Sequence, residues 1–156
     1  MYKASVFRTN VIDIALHTIG LYSVAASDLL LGTAVQESGG FRWNRQLGNG
    51  PARGYFQMEV ATHNDIWTNY LKYRHALGDL VKKTLKPGES PTAETLVTNE
   101  YYAAAMARVR YKRAPAPLPP AGNVQALADY WKQYYNTAGG RGNSQEFVAN
   151  WARYVQ

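Results

Sequence analysis

A mainly helical fold with one small β-ribbon is what the sequence predicts, and three observations carry that expectation. Apolar residues recur three and four apart in most segments, strand-type alternation is sparse, and the glycines gather in a few short stretches that break regular structure. The chain has 156 residues, 46% hydrophobic and 18% charged, with no cysteine. That is the size of one compact domain, with enough apolar material for its own core and too little charge for disorder. Residues 1–156 are therefore read as a single domain. Disulfide frameworks, thiolate metal clusters and thiol nucleophiles are excluded.

In chain order, Thr9-Asn10 offers N-caps for a first helix over Val11–Tyr22, whose apolar residues 12, 15, 16, 19 and 22 keep helical spacing. Ser27-Asp28 offers a cap for Leu29–Ser38, which stops at Gly39-Gly40, where a left-handed backbone is tolerated. Residues 39–55 carry five glycines, a proline and the turn-forming pair Asn49-Gly50, and are read as a loop or short β-ribbon. Helices follow over Thr62–Val81 and Thr92–Tyr111. The prolines of Ala114–Pro120 force an extended connector. A helix from Asn123 to Asn136, a Gly-rich turn and a helix over Ser144–Tyr154 complete the chain.

Seventeen Lys and Arg against eleven Asp and Glu leave a net charge of +6. This favours polyanionic partners such as nucleic acid, lipid headgroups or the acidic polymers of a bacterial surface. Asp13, His17 and Asp28 interrupt the apolar stretch from Val11 to Leu31, so it reads neither as a membrane span nor as a signal peptide. The expectation is a soluble chain without its own export signal.

Glu37 stands out on physical grounds. A carboxylate near a helix C-terminus feels the negative end of the macrodipole, and Thr33, Ala34 and Leu30, one and two turns back, would withhold water from it. Both effects raise its pKa, and an acid kept protonated near neutral pH is what glycoside cleavage needs at the departing oxygen. A solvent-facing Glu at a helix end would do nothing of the kind.

Three ordered segments bear on this choice: Gln36-Glu37-Ser38-Gly39-Gly40, then Gly54-Tyr55-Phe56-Gln57-Met58-Glu59, then Tyr134-Tyr135-Asn136-Thr137-Ala138-Gly139-Gly140. Their order resembles the lysozyme-like superfamily, specifically the soluble lytic transglycosylases and goose-type lysozymes found among bacteriophage cell-wall enzymes. In that family a Glu-Ser pair ends the catalytic helix, a Gly-x-x-Gln segment lies on a ribbon lining the cleft, and a Tyr-Asn-x-Gly element closes the site. The resemblance implies a lysozyme-like α+β domain that cleaves the β-1,4 bond between N-acetylmuramic acid and N-acetylglucosamine in peptidoglycan. It makes Glu37 the general acid, with Ser38 supporting it, and places Tyr55, Phe56 and Gln57 along the cleft with Tyr135 and Asn136 closing it. Here the spacing from Asn136 to its glycine is longer than in the family, which leaves open whether Tyr134 or Tyr135 faces the cleft.

Glu59 decides the reaction type. Goose-type lysozymes look similar in placing an acid two residues after the Gln, where it orients a water. A carboxylate separation of about 6.5–9.5 Å would predict hydrolysis with inversion. With Glu59 pointing away, as a simple pairing group for Arg53 or His63, the substrate's N-acetyl group would attack instead, giving the 1,6-anhydro product of a lytic transglycosylase. Hydrolysis is the favoured expectation.

Three histidines, His17, His63 and His75, fit no metal-ligand spacing, and neither metal nor cofactor is expected. Aromatic residues, 13% of the chain, suit the apolar faces of sugar rings. The run Arg108–Arg113 puts four positive charges in six residues, read as a solvated face or as attraction to an anionic envelope rather than as a specific nucleic-acid site. The expected partner is the glycan strand of the bacterial wall, met by a monomer, with a phage endolysin or virion-associated lysin as the biological setting. A noncatalytic wall-binding module on the same scaffold is the competing reading.

Overall fold

The computed structural model describes residues 2–44, 50–136 and 140–155. Helix α1 (Ala4–Phe7) runs through a π-helical turn, Arg8–Ile12, into α2 (Asp13–Thr18), and α3 spans Val24–Glu37. Strands β1 (Ala52–Arg53) and β2 (Met58–Glu59) precede α4 (Val60–Asn69), a 3₁₀ turn at Leu71–Tyr73 and α5 (His75–Lys82). Helices α6 (Thr95–Thr98), α7 (Glu100–Lys112) and α8 (Val124–Trp131) follow, then a second π-helical turn, Lys132–Asn136, and α9 (Ser144–Tyr154). The expected mainly helical architecture with one small ribbon is what is found. The two strands pair antiparallel, Ala52 opposite Glu59 and Arg53 opposite Met58. Among the described residues no helix is long and apolar enough to cross a membrane.

Helix α3 is the centre. Every residue from Ala26 to Val35 is buried, so this helix is covered all round rather than on one stripe, the pattern of a helix enclosed by others. It packs against α7, α8, α9 and the N-terminal helices. Gly32 makes the α9 contact possible: a Cβ there would run into the ring of Phe147.

Several element boundaries differ from the sequence expectation, each for a packing or hydrogen-bonding reason. The first helix begins at Ala4, not Val11, and Thr9 lies inside it with its hydroxyl donated back to the Ser5 carbonyl at 2.7 Å. Ser23, not Ser27-Asp28, caps α3 by accepting from the Ala26 N–H at 3.0 Å. That releases Ser27 and Asp28 for a buried network. Asp28 accepts from Arg8 Nη1 at 2.7 Å and from the Gly122 N–H at 2.9 Å, while Ser27 donates to Asp13 at 2.6 Å. The N-terminal helices, α3 and the connector before α8 are tied together there.

The helix expected over Thr62–Val81 is broken between Tyr70 and Arg74. The break lets Ile66, Leu71 and Val81 all reach the core while Tyr73, which an unbroken helix would bury, stays 68% exposed. The helix expected over Thr92–Tyr111 is interrupted at Asn99. Its buried amide donates to the Thr84 carbonyl at 2.9 Å and to Glu89 at 2.7 Å, and its side-chain oxygen caps α7 through the Tyr102 N–H at 3.0 Å. The helix expected to Asn136 changes to π geometry at Lys132. Asn49 of the turn-forming pair lies outside the described residues; the ribbon turns over residues 54–57, with the Gln57 N–H bonded to the Gly54 carbonyl at 3.0 Å. The proline connector is free of helix and strand, as predicted, and Tyr130 holds it by donating to the Ala116 carbonyl at 2.8 Å.

Asp28→Ala leaves a partly buried guanidinium and a backbone N–H without their acceptor, and is expected to destabilise the fold by about 3 kcal/mol. Urea denaturation measures this directly; an unchanged midpoint would contradict the role given to the network.

Candidate active site

Glu37 is the last residue of α3, and the chain turns away from it sharply. Gly39, Gly40 and Phe41 all adopt positive φ, at 61°, 72° and 68°. The Gly40 N–H bonds back to the Val35 carbonyl at 2.9 Å, which with left-handed Gly39 is the Schellman form of helix end. Ser38 belongs to this cap. Its fully buried hydroxyl donates to the Ala34 carbonyl at 2.6 Å and accepts from the Phe41 N–H at 2.7 Å, so it supports the helix end and is closed to substrate.

Two indoles hold Glu37. Trp43 donates to its backbone carbonyl at 3.2 Å, and Trp131 donates to Oε2 of its carboxyl group at 2.9 Å. Trp131 closes α8, is fully buried, and packs its ring 5.6 Å from that of Phe147 on α9. The residue as a whole is half-buried, but the protein packed round its carboxyl group removes most of the hydration. That dehydration raises its pKa from 4.5 to about 7, against the opposing pull of the Trp131 hydrogen bond and the positive charge of Arg110. An indole N–H can only donate. When Glu37 is neutral, the acid proton therefore belongs on Oε1, the oxygen Trp131 leaves free.

Tyr135 is brought in by the π-helical turn after α8. It is buried, and its hydroxyl donates to the Phe56 carbonyl at 2.6 Å, tying the C-terminal helices to the ribbon. Arg110 of α7 donates to the Tyr135 carbonyl at 2.5 Å and lies 4.3 Å from its ring centroid. Tyr111, next along α7, is fully buried and bonds Thr33 at 2.7 Å, one turn before Glu37. Burial pushes both the Tyr111 and Tyr135 phenols well above their ordinary range. They stay neutral beside Glu37, and Arg110 is the cation that acts on it.

The ribbon residues divide. Phe56 is buried with its ring 6.1 Å from Phe7, so it is core and not a sugar-stacking face. Tyr55 is half-buried and meets Phe41 edge-on at 5.5 Å. Gln57 holds a positive φ of 47°, rare for a non-glycine residue, and donates its amide to the Gly54 carbonyl at 2.8 Å. Gly54 is needed for the turn: its φ is 76°, and a Cβ would strike the carbonyl oxygen of Leu96.

Glu59 ends β2 and is exposed. The two neighbours considered as pairing partners are engaged elsewhere: Arg53 lies 3.9 Å from Glu94, and buried His63 bonds Tyr102 at 2.6 Å. Asn136 accepts from Lys132 at 2.7 Å and donates to the Arg141 carbonyl at 2.6 Å, bracing the chain that leads to α9. Tyr134 is half-buried against the Tyr130 ring at 4.6 Å, whereas Tyr135 is the tyrosine coupled to Glu37 and the ribbon. Thr137, Ala138 and Gly139 of the third segment lie outside the described residues.

Sequence reasoning located Glu37 but missed its two controlling partners. Trp131 was readable as one of several aromatics on the Leu127, Ala128, Trp131 stripe. The available signal was that a buried indole N–H needs an acceptor. Arg110 was hidden in a basic run that read as a solvated face. Comparison with protein-family models, curated proteins and solved structures found no match.

Because the folded state holds the Glu37 proton up to about pH 7 while the unfolded chain releases it near 4.5, stability falls as pH rises through that window. At 1.36 kcal/mol per unit, the loss reaches about 3 kcal/mol above neutrality. Glu37→Gln keeps the acceptor for Trp131 and removes the ionisation. It should match wild type in thermal unfolding at pH 4 and exceed it by about 6 °C or more at pH 8.5; equal melting curves at both pH values would refute the buried-acid assignment.

Proposed function

We propose that this chain is a peptidoglycan-degrading glycosidase of the lysozyme-like kind, cutting the β-1,4 bond between N-acetylmuramic acid and N-acetylglucosamine with Glu37 as general acid. The supporting observation is the Glu37 carboxyl group: dehydrated at the end of a buried helix, neutral up to about pH 7, and bonded by a donor-only partner on one oxygen. Such a group can hand a proton to a glycosidic oxygen at the pH where most carboxylates are already ionised. The ordered Glu-Ser, Gly-x-x-Gln and Tyr-Asn segments give the reading its substrate.

In the proposed reaction the Glu37 proton passes to the departing oxygen as the bond to the anomeric carbon breaks. A water on the opposite face attacks that carbon and gives its proton to Glu59, so the configuration inverts and a reducing end is released. The Glu59 carboxylate is exposed and has no hydrogen-bond partner among the described residues, which leaves it open to accept that proton. The anionic wall also suits a chain of net charge +6.

Digestion of purified peptidoglycan followed by mass spectrometry tests the proposal. Reducing muropeptides are expected; 1,6-anhydro products would move the chain to the lytic transglycosylases with the same acid. Wall binding without product would identify a noncatalytic module. Glu37→Gln should lower turnover by about 10²–10⁴-fold, the usual contribution of a general acid. Near-normal turnover in that variant would remove the mechanism.

Trp131→Phe tests the control of the acid separately. Loss of the indole hydrogen bond removes an influence that lowers the Glu37 pKa, so the alkaline limb of the rate profile should move to higher pH. A limb at the wild-type position, or below it, would show that Trp131 does not tune the acid.

A further inference from the structure

The proposed reaction gives the basic run at the end of α7 no anion of its own to bind. Arg110 and Arg113 line a recess of about 280 Å³ together with Thr62 and Ile66 of α4, Pro115 of the connector and Tyr134 of the π-helical turn. Arg113 lies 2.8 Å from Asp65 and 5.3 Å from the Tyr70 ring centroid. Arg110 uses its guanidinium group on the Tyr135 carbonyl and ring, with no carboxylate bonded to it among the described residues. Two residues before Arg110 on the same helix, and outside the recess lining, Arg108 has its Nε buried without a hydrogen-bond partner.

The charges here do not balance. Two guanidinium groups line the recess and one carboxylate, Asp65, is bonded there, which leaves an excess of one positive charge. Glu37, the other acid near Arg110, is neutral through the acid range. Partly buried cations without counter-charges are unfavourable in the empty molecule and favourable toward a multiply charged anion. Guanidinium groups match the oxygens of such an anion with paired, charge-assisted hydrogen bonds. A tetrahedral phosphate can present oxygens to both guanidinium groups and to a hydroxyl at once, more acceptors than the two of a carboxylate.

We propose that the recess between α4, α7 and the π-helical turn is a phosphate-binding site, with Arg110 and Arg113 as the ligating cations and the Thr62 hydroxyl as a further donor. The phosphate belongs either to an anionic lipid headgroup or to a soluble phosphate compound. Occupancy would place the anion beside Arg110, the same cation that acts on Glu37, but binding itself does not depend on the glycosidase reading.

Calorimetric titration of the full chain with inorganic phosphate is expected to show saturable one-to-one binding. Arg113→Gln, at an exposed ion pair where folding is not at risk, should weaken it about tenfold, the loss of one charge-assisted hydrogen bond. Lys83→Gln, just past the end of α5, removes the same unit of charge from an exposed position outside the recess lining and should leave it unchanged. Competition by phosphatidylglycerol vesicles, and not by phosphatidylcholine vesicles, would assign the headgroup as the source; phosphate binding without vesicle competition would assign a soluble phosphate. The absence of saturable phosphate binding overturns the proposal. Equal weakening by Arg113→Gln and Lys83→Gln also overturns it, since that would be a response to net charge alone.

Discussion

Most of this structure is organised around keeping one carboxyl group out of water. An acid at a helix C-terminus is already disfavoured as an anion by the partial negative charge of the last carbonyls. Here α3 is enclosed on all sides, so the end of the helix lies where packed side chains replace solvent. Trp131 supplies a polar contact that such a group requires and, being unable to accept, leaves the acid proton on the other oxygen. Dehydration outweighs both opposing influences, the indole hydrogen bond and the Arg110 charge, and the net effect raises the pKa.

The supporting framework is built from the same kind of satisfied, buried polar contact. Ser38 spends its hydroxyl on the helix end, which fixes the direction of Glu37. Tyr135 carries the constraint from the C-terminal helices to the ribbon through the Phe56 carbonyl, and Arg110 locks Tyr135 in place from α7. Thus an element late in the chain determines where the ribbon that holds Tyr55 and Gln57 stands relative to α3. The π-helical turn at Lys132–Asn136 shifts the helix register between Trp131 and Tyr135, so that one residue serves Glu37 and the other the ribbon.

How far the sequence revealed this follows from the range of each interaction. Local signals were legible: Gly39-Gly40 as the end of α3, the proline connector as a non-helical segment, and α9 over Ser144–Tyr154 were all readable from residues adjacent in sequence. Interruptions set by distant partners were not. Asn99 breaks a helical stretch because its amide reaches Thr84 and Glu89, and Tyr70–Arg74 breaks another because Leu71 and Val81 both belong in the core. The same limit applied at the site. Glu37 could be singled out from its position on one helix, but the expectation that Phe56 lines the cleft and Tyr135 closes it missed that both side chains are buried. The partners that tune Glu37 lie on α7 and α8, far along the chain, and only tertiary packing brings them to it.

The central claim is that Glu37 retains its proton to neutrality, and the most direct test observes that carboxyl group alone. Carbon-detected NMR of protein labelled at the glutamate carboxyl, with Glu37→Gln used to assign the resonance, would follow its titration across pH 3–9. The account predicts a midpoint of about 7 for Glu37. A midpoint at the ordinary glutamate value of about 4.3 would contradict it and with it the acid on which the proposed chemistry rests.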